Sequence, residues 1–152
     1  MKVEDIMTRN VIKISPDSSV EVAARTFAHY NVGVLPVCTE SGRLCGLVTD
    51  RDLVTRCVAA NEDPGKTKVR SVMTSQIISV EPQMDTAVAA CLMGAKQVRR
   101  LPVVEKGKLC GVVSLSDVAS CGENGLEAAD ALAVISSNVT NGGNFGKIPQ
   151  KE

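Results

Sequence analysis

Apolar residues in the stretch 18–30 fall at Val20, Ala23, Ala24 and Phe27, three and four apart, with charged and polar residues between them. That spacing lays one apolar stripe along a helix and predicts a helix over 18–30. The stretch "DTAVAACLMGA" (85–95) predicts a second helix of the same kind. Between such segments the pattern shortens. "VGVLPV" (32–37) and "RLCGLV" (43–48) are short β-branched runs bounded by turn residues, and predict strands. "NEDPGKTK" (61–68) carries Pro, Gly and alternating charge, and predicts an exposed linker. After Gly122, a further helix is expected through Leu126, Ala129, Leu132 and Ala133, and "NVTNGGNFGKIPQKE" (138–152) reads as a disordered tail.

The pattern is written twice. "VEDIMT" (3–8) matches "VRSVMT" (69–74), "IKISP" (12–16) matches "ISVEP" (78–82), and "NVGVLPV" (31–37) matches "QVRRLPV" (97–103). Pro16 and Pro82 are 66 apart, as are Pro36 and Pro102. "GLVTDRD" (46–52) then matches "GVVSLSD" (111–117) at an offset of 65, because the turn after the second proline is one residue shorter in the second half. Each half reads as a lead-in, a strand, a helix, two strands joined by a polar turn, and a final helix. The expected organisation is a first repeat over 3–60, a linker over 61–68, a second repeat over 69–121 and a C-terminal extension over 122–152.

Thr49 and Ser114 each stand at the end of a strand with an acid, Asp52 or Asp117, three residues on. One reading is local: the hydroxyls cap helices and the acids favour the helix dipole. The other is a ligand site. A capping box prefers the longer Glu or Gln, whereas both repeats use Asp. A helix start beside a hydroxyl suits a phosphate, and a nearby carboxylate suits the vicinal hydroxyls of a ribose. Arg99 and Arg100 supply cations for phosphate where the first half has Gly33 and Val34, so the pair is not demanded by the repeat. At the first motif Asp50 adds a second negative charge, offset by Arg51.

These residues resemble the CBS (cystathionine-β-synthase) domain, present as a tandem pair over about residues 3–121: "DIMT" and "SVMT", "GVLPV" and "RRLPV", "GLVTDRD" and "GVVSLSD". In size and in "TDRDLV" the chain is similar to small stand-alone bacterial members such as the hypoxic response proteins. The resemblance implies an α/β fold of the α+β type, in which two β-α-β-β-α repeats pack through their sheets with pseudo-two-fold symmetry and leave two clefts. It implies ribose contacts from Asp52 and Asp117, and phosphate contacts from Thr49, Ser114, Ser116, Arg99 and Arg100. Ile12 and Ile78 would line the adenine. The expected ligand is adenosyl: AMP, ADP, ATP or S-adenosylmethionine. A regulatory role on an effector protein in trans follows, as does a homodimer, for which "AVAACLMGA" offers apolar surface. The alternative is a structural or redox-responsive interaction protein with empty clefts.

Composition removes other classes. Seventeen basic and seventeen acidic residues cancel, and aromatics are 2% with no Trp, so neither a basic field nor stacking platforms point to nucleic acid. The longest apolar run is about half of what a bilayer requires and the N-terminus has no secretory pattern, so the expected compartment is the cytoplasm, without membrane. Six cysteines form no C-x-x-C pair and His29 is the sole histidine, so no metal site or nucleophile with its base is expected, and no enzyme. Cys45 and Cys110, each before a repeat glycine, are expected as small core hydrophobes.

Overall fold

A single helical turn, α1 (Val3–Ile6), opens the computed structural model, which describes residues 1–122 and 125–141, with side chains through Ser137. The expected first helix forms as α2 (Val20–Tyr30). Ser19 caps it by accepting the Val22 N–H at 3.2 Å, and Asn31 ends it in the left-handed conformation at φ 51°. Strands β1 (Val34–Cys38) and β2 (Leu44–Thr49) pair antiparallel. β2 runs into α3 (Asp50–Leu53), which continues as a π-helical turn over Val54–Val58. The second half repeats this order with α4 (Val69–Val72), α5 (Thr86–Lys96), β3 (Arg100–Glu105), β4 (Lys108–Ser114) and α6 (Leu115–Ser120), and β3 and β4 form a second sheet. A longer helix, α7 (Gly125–Asn141), follows.

The chain forms two compact units whose limits cut across the sequence repeats. One comprises Met1–Met7, Gln83–Leu101 and the chain from Val113 on; the other comprises Thr8–Pro82 and Pro102–Val112. The cause is that the halves exchange their lead-ins. In the first unit α1 lies at the start of α5: the Val3 N–H donates to Met84 O at 2.9 Å and the Thr86 N–H to Met1 O at 2.9 Å. In the second unit α4 lies at the start of α2: the Val69 N–H donates to Ser18 O at 2.8 Å and the Val20 N–H to Thr67 O at 2.9 Å.

The threonines that close the two lead-ins pair in the same crossed manner. Thr74 exchanges backbone bonds with Leu47 at 2.8 and 3.0 Å, and Thr8 exchanges them with Val112 at 2.9 and 3.0 Å. Gly46 permits the first pairing, since a Cβ there would lie 3.0 Å from Met73 Cγ and 3.1 Å from Thr74 O. Gly46 thus has a packing cause. The linker is exposed as expected, yet Asp63 holds it in a turn by accepting the Gly65 N–H at 2.8 Å.

Four expectations change. The first strand of each half is reduced to one bridge, Ile14 to Val37 and Val80 to Val103, because Pro16 and Pro82 have no N–H with which to extend a ladder. The buried face of α7 is Ala128, Ala131 and Ile135, while Leu126 is 81% exposed. Small residues are required there, since a Cβ on Gly94 would sit 3.0 Å from Ala131 Cα. The apolar surface of α5 expected to seek a second copy is therefore met by α7, with Ala89, Ala90, Met93 and Gly94 buried. Cys45 and Cys110 are half-buried on the strand faces opposite the buried Gly46 and Gly111, and the buried thiols are Cys38 and Cys57. Burial pushes the Cys38 thiol up from its ordinary pKa. The tail expected to be disordered lies mostly outside the described residues.

Candidate functional site

Both hydroxyl-and-acid motifs close as capping boxes, the shorter Asp notwithstanding. Thr49 Oγ1 accepts the Asp52 N–H at 3.1 Å while Asp52 Oδ2 accepts the Thr49 N–H at 2.9 Å. Ser114 Oγ accepts the Asp117 N–H at 3.2 Å while Asp117 Oδ2 accepts the Ser114 N–H at 2.7 Å. The local reading of these residues is therefore realised, and it fixes where the remaining polar atoms point.

The two boxes differ in what is left over. At the first, Asp52 Oδ1 lies 3.9 Å from Arg56 Nε, and Asp50 Oδ1 accepts the Arg51 N–H at 2.9 Å. Arg51 itself is exposed. At the second, Ser114 Oγ also donates to Asp117 Oδ2 at 2.6 Å and lies 2.8 Å from Ser116 Oγ, so two hydroxyls stand together. Asp117 Oδ1 takes part in none of these bonds.

Arg99 and Arg100 are brought to the second motif by the backbone. The Leu115 N–H donates to Arg99 O at 2.9 Å, which holds the start of β3 against the first turn of α6. Both arginines are exposed, and among the described residues neither guanidinium has a carboxylate within ion-pair distance. With Ser114 and Ser116 they line a cavity of about 570 Å³. That size falls within the range of small-molecule sites.

The opposite wall of the cavity is apolar and comes from α7: Ala128, Ala129 and Leu132, joined by Leu115 and Ala119 of α6. The sequence placed a helix here without connecting it to the site. The signal was present in the Leu126-to-Ala133 periodicity, but periodicity names a helix and not its neighbour.

Ile12 and Ile78 belong, like Thr49 and Asp52, to the unit that runs from Thr8 to Pro82. Ile12 packs half-buried against the core around Leu35 and Val37, and Ile78 is half-buried. Among the described residues no group of three or more His, Cys, Asp or Glu side chains is placed to hold a metal ion, and no helix is long and apolar enough to cross a membrane.

Comparison with known proteins bears on the same segments. The CBS domain family model matches residues 3–59 and again 69–123. The CBS domain-containing protein YhcV of Bacillus subtilis is 40% identical over 134 residues, covering 88% of this chain and 94% of its own length. Among solved structures, Hypoxic Response Protein I with two coordinated zinc ions is 30% identical with a TM-score of 0.73, over 79% of this chain and 98% of that one. CBSX2 in complex with AMP is 28% identical with a TM-score of 0.69, over 79% of this chain and 94% of that one. The chain belongs to the CBS domain family, as a tandem pair with the α+β fold of that family.

Proposed function

We propose that the chain is a regulatory module that binds an adenosyl ligand, AMP, ADP, ATP or S-adenosylmethionine, and through it alters its association with an effector protein. The observation that carries this reading is one cavity lined by two arginines, without carboxylate partners among the described residues, and by a pair of hydroxyls. Guanidinium groups bind phosphate oxygens through paired hydrogen bonds, and the Ser116 hydroxyl would add a neutral donor by turning its proton from Ser114 to the ligand. At this cavity Asp117 Oδ1 is the acceptor for ribose hydroxyls; Ile12 and Ile78, which do not line it, are assigned to adenine in the unit that holds Thr49 and Asp52. Thr49, Arg51 and Asp52 would serve a second, weaker cleft. The complex of CBSX2 with AMP supports the ligand class.

The role is regulatory, without catalysis of the chain's own. Six free cysteines suit a reducing compartment, which supports the cytoplasm. Homodimer formation is assigned to the first repeat. There Val54 stands at the position of Ala119, which in the second repeat faces α7, and Val54 and Val58 are 58% and 66% exposed. Mass spectrometry of small molecules that co-purify with the native protein, followed by calorimetry with AMP, ATP and S-adenosylmethionine, tests the ligand class. An adenosyl compound bound at one or two per chain is expected. Empty protein that gives no heat with any of the three contradicts it.

A further inference from the structure

We infer that α7 is the ligand-responsive element of this protein: an occupant of the cavity is held between Arg99, Arg100, Ser114 and Ser116 on one side and Ala129 and Leu132 of α7 on the other, so that binding and α7 docking strengthen each other. The inference rests on the reading of the cavity as a phosphate site. Two observations carry it.

First, α7 is anchored on α5 and α6 largely through small side chains. Among its described side chains the buried ones are Ala128, Ala131 and Ile135, while Leu126, Leu132 and Val134 remain 81%, 44% and 47% exposed. Alanine side chains bury little apolar area, so each contributes little to holding the helix docked. Second, part of the exposed apolar surface lines the cavity. Leu132 and Ala129 face the space in which Arg99 and Arg100 converge, and a nucleoside placed there would cover them. A ligand that contacts α7 only when the helix is docked shifts the equilibrium toward docking by its differential affinity for the two states.

The coupling is reciprocal. The factor by which a saturating ligand suppresses undocking equals the factor by which undocking weakens the ligand. The assignment also says what the module reports: a partner surface made or hidden by α7 changes with occupancy.

The test uses the full chain with AMP as probe. Hydrogen exchange over 125–137 is measured with and without saturating AMP, beside calorimetry on the same samples. Gly94→Val, whose side chain would meet Ala131, undocks α7 from α5 at a position that does not line the cavity. Leu132→Ser leaves the buried face intact and removes part of the cavity wall, so it serves if the glycine variant fails to fold. AMP is expected to slow exchange across 125–137 several-fold, and Gly94→Val to weaken AMP by a matching factor. Leu132→Ser should weaken AMP and reduce the protection. AMP binding that leaves exchange in α7 unchanged, with affinity unaltered in either variant, overturns the coupling while sparing the phosphate site. Absence of any calorimetric signal with AMP overturns both, and is told apart by that absence.

Discussion

The two hydroxyl-and-acid turns have the same local geometry and different surroundings. In both, a hydroxyl and an Asp three residues apart satisfy each other's backbone N–H groups. Around Thr49 and Asp52 the neighbours are Asp50, Arg51 and Arg56, and the Arg56 guanidinium lies within 3.9 Å of Asp52. Around Ser114 and Asp117 the neighbours are Ser116, two arginines without carboxylate partners among the described residues, and the apolar wall of α7. A repeated motif is thus a repeated cap first. Its chemistry depends on what the rest of the chain brings to it, and here, among the described residues, the second turn receives a pair of arginines and an added helix.

The largest effect expected concerns whether the repeats can be compared apart at all. Residues 1–64 alone lack Val69 and Thr74, which pair with Ser18 and Leu47, and a chain of that length has a marginal core in any case. Thermal denaturation followed by circular dichroism should show no cooperative transition for this fragment. A sharp melt would mean that the exchanged lead-ins are dispensable.

Next in size is the difference between the acids. Asp117→Ala and Asp52→Ala should each cost about 0.5–2 kcal/mol of stability through the lost cap, read from denaturant midpoints. Their effects on AMP should diverge: calorimetry should show a loss of at least tenfold, about 1.4 kcal/mol, for Asp117→Ala and little change for Asp52→Ala. The reverse order would move the stronger site to the first turn.

The smallest effect concerns acid. Asp17 is exposed, and its hydrogen bond with Arg70, reinforced by Lys68, holds its carboxyl below the ordinary range. A depressed pKa contributes stability that is present above the unfolded-state value and lost as pH falls through the folded one. Melting temperature followed downward from pH 6 should therefore drop more steeply below about pH 4 in the parent than in Asp17→Asn, and 1 M salt should shrink the difference. Parallel curves would show that the pair contributes nothing.

Much of the fold could be read from the residues. The spacing of Val20, Ala23 and Phe27 gave α2, and the duplicated motifs gave the pairing of two halves. The exchange of lead-ins could not be read, because a repeat shows which segments are equivalent and not which copy each one packs against. Only Gly46 hinted at it, through the backbone that approaches it. The strands at 12–16 and 78–82 were overestimated because β-branched composition does not show that the prolines closing them leave room for one bridge only. Of the polar residues lining the cavity, Ser114 was singled out by chemistry, Arg99 and Arg100 by chemistry and by their asymmetry between repeats, and Ser116 by the family resemblance. The apolar wall was missed because alanines carry no chemical signature.

The central claim is that Arg99 and Arg100 make the second turn a phosphate site. The most direct measurement is calorimetric titration of AMP and of adenosine into the parent protein and into the Arg99→Ala, Arg100→Ala double variant. Both arginines are exposed, so the fold should survive the change. AMP affinity should fall at least tenfold while adenosine affinity stays within about twofold. Equal losses for AMP and adenosine, or no loss for either, would contradict the claim.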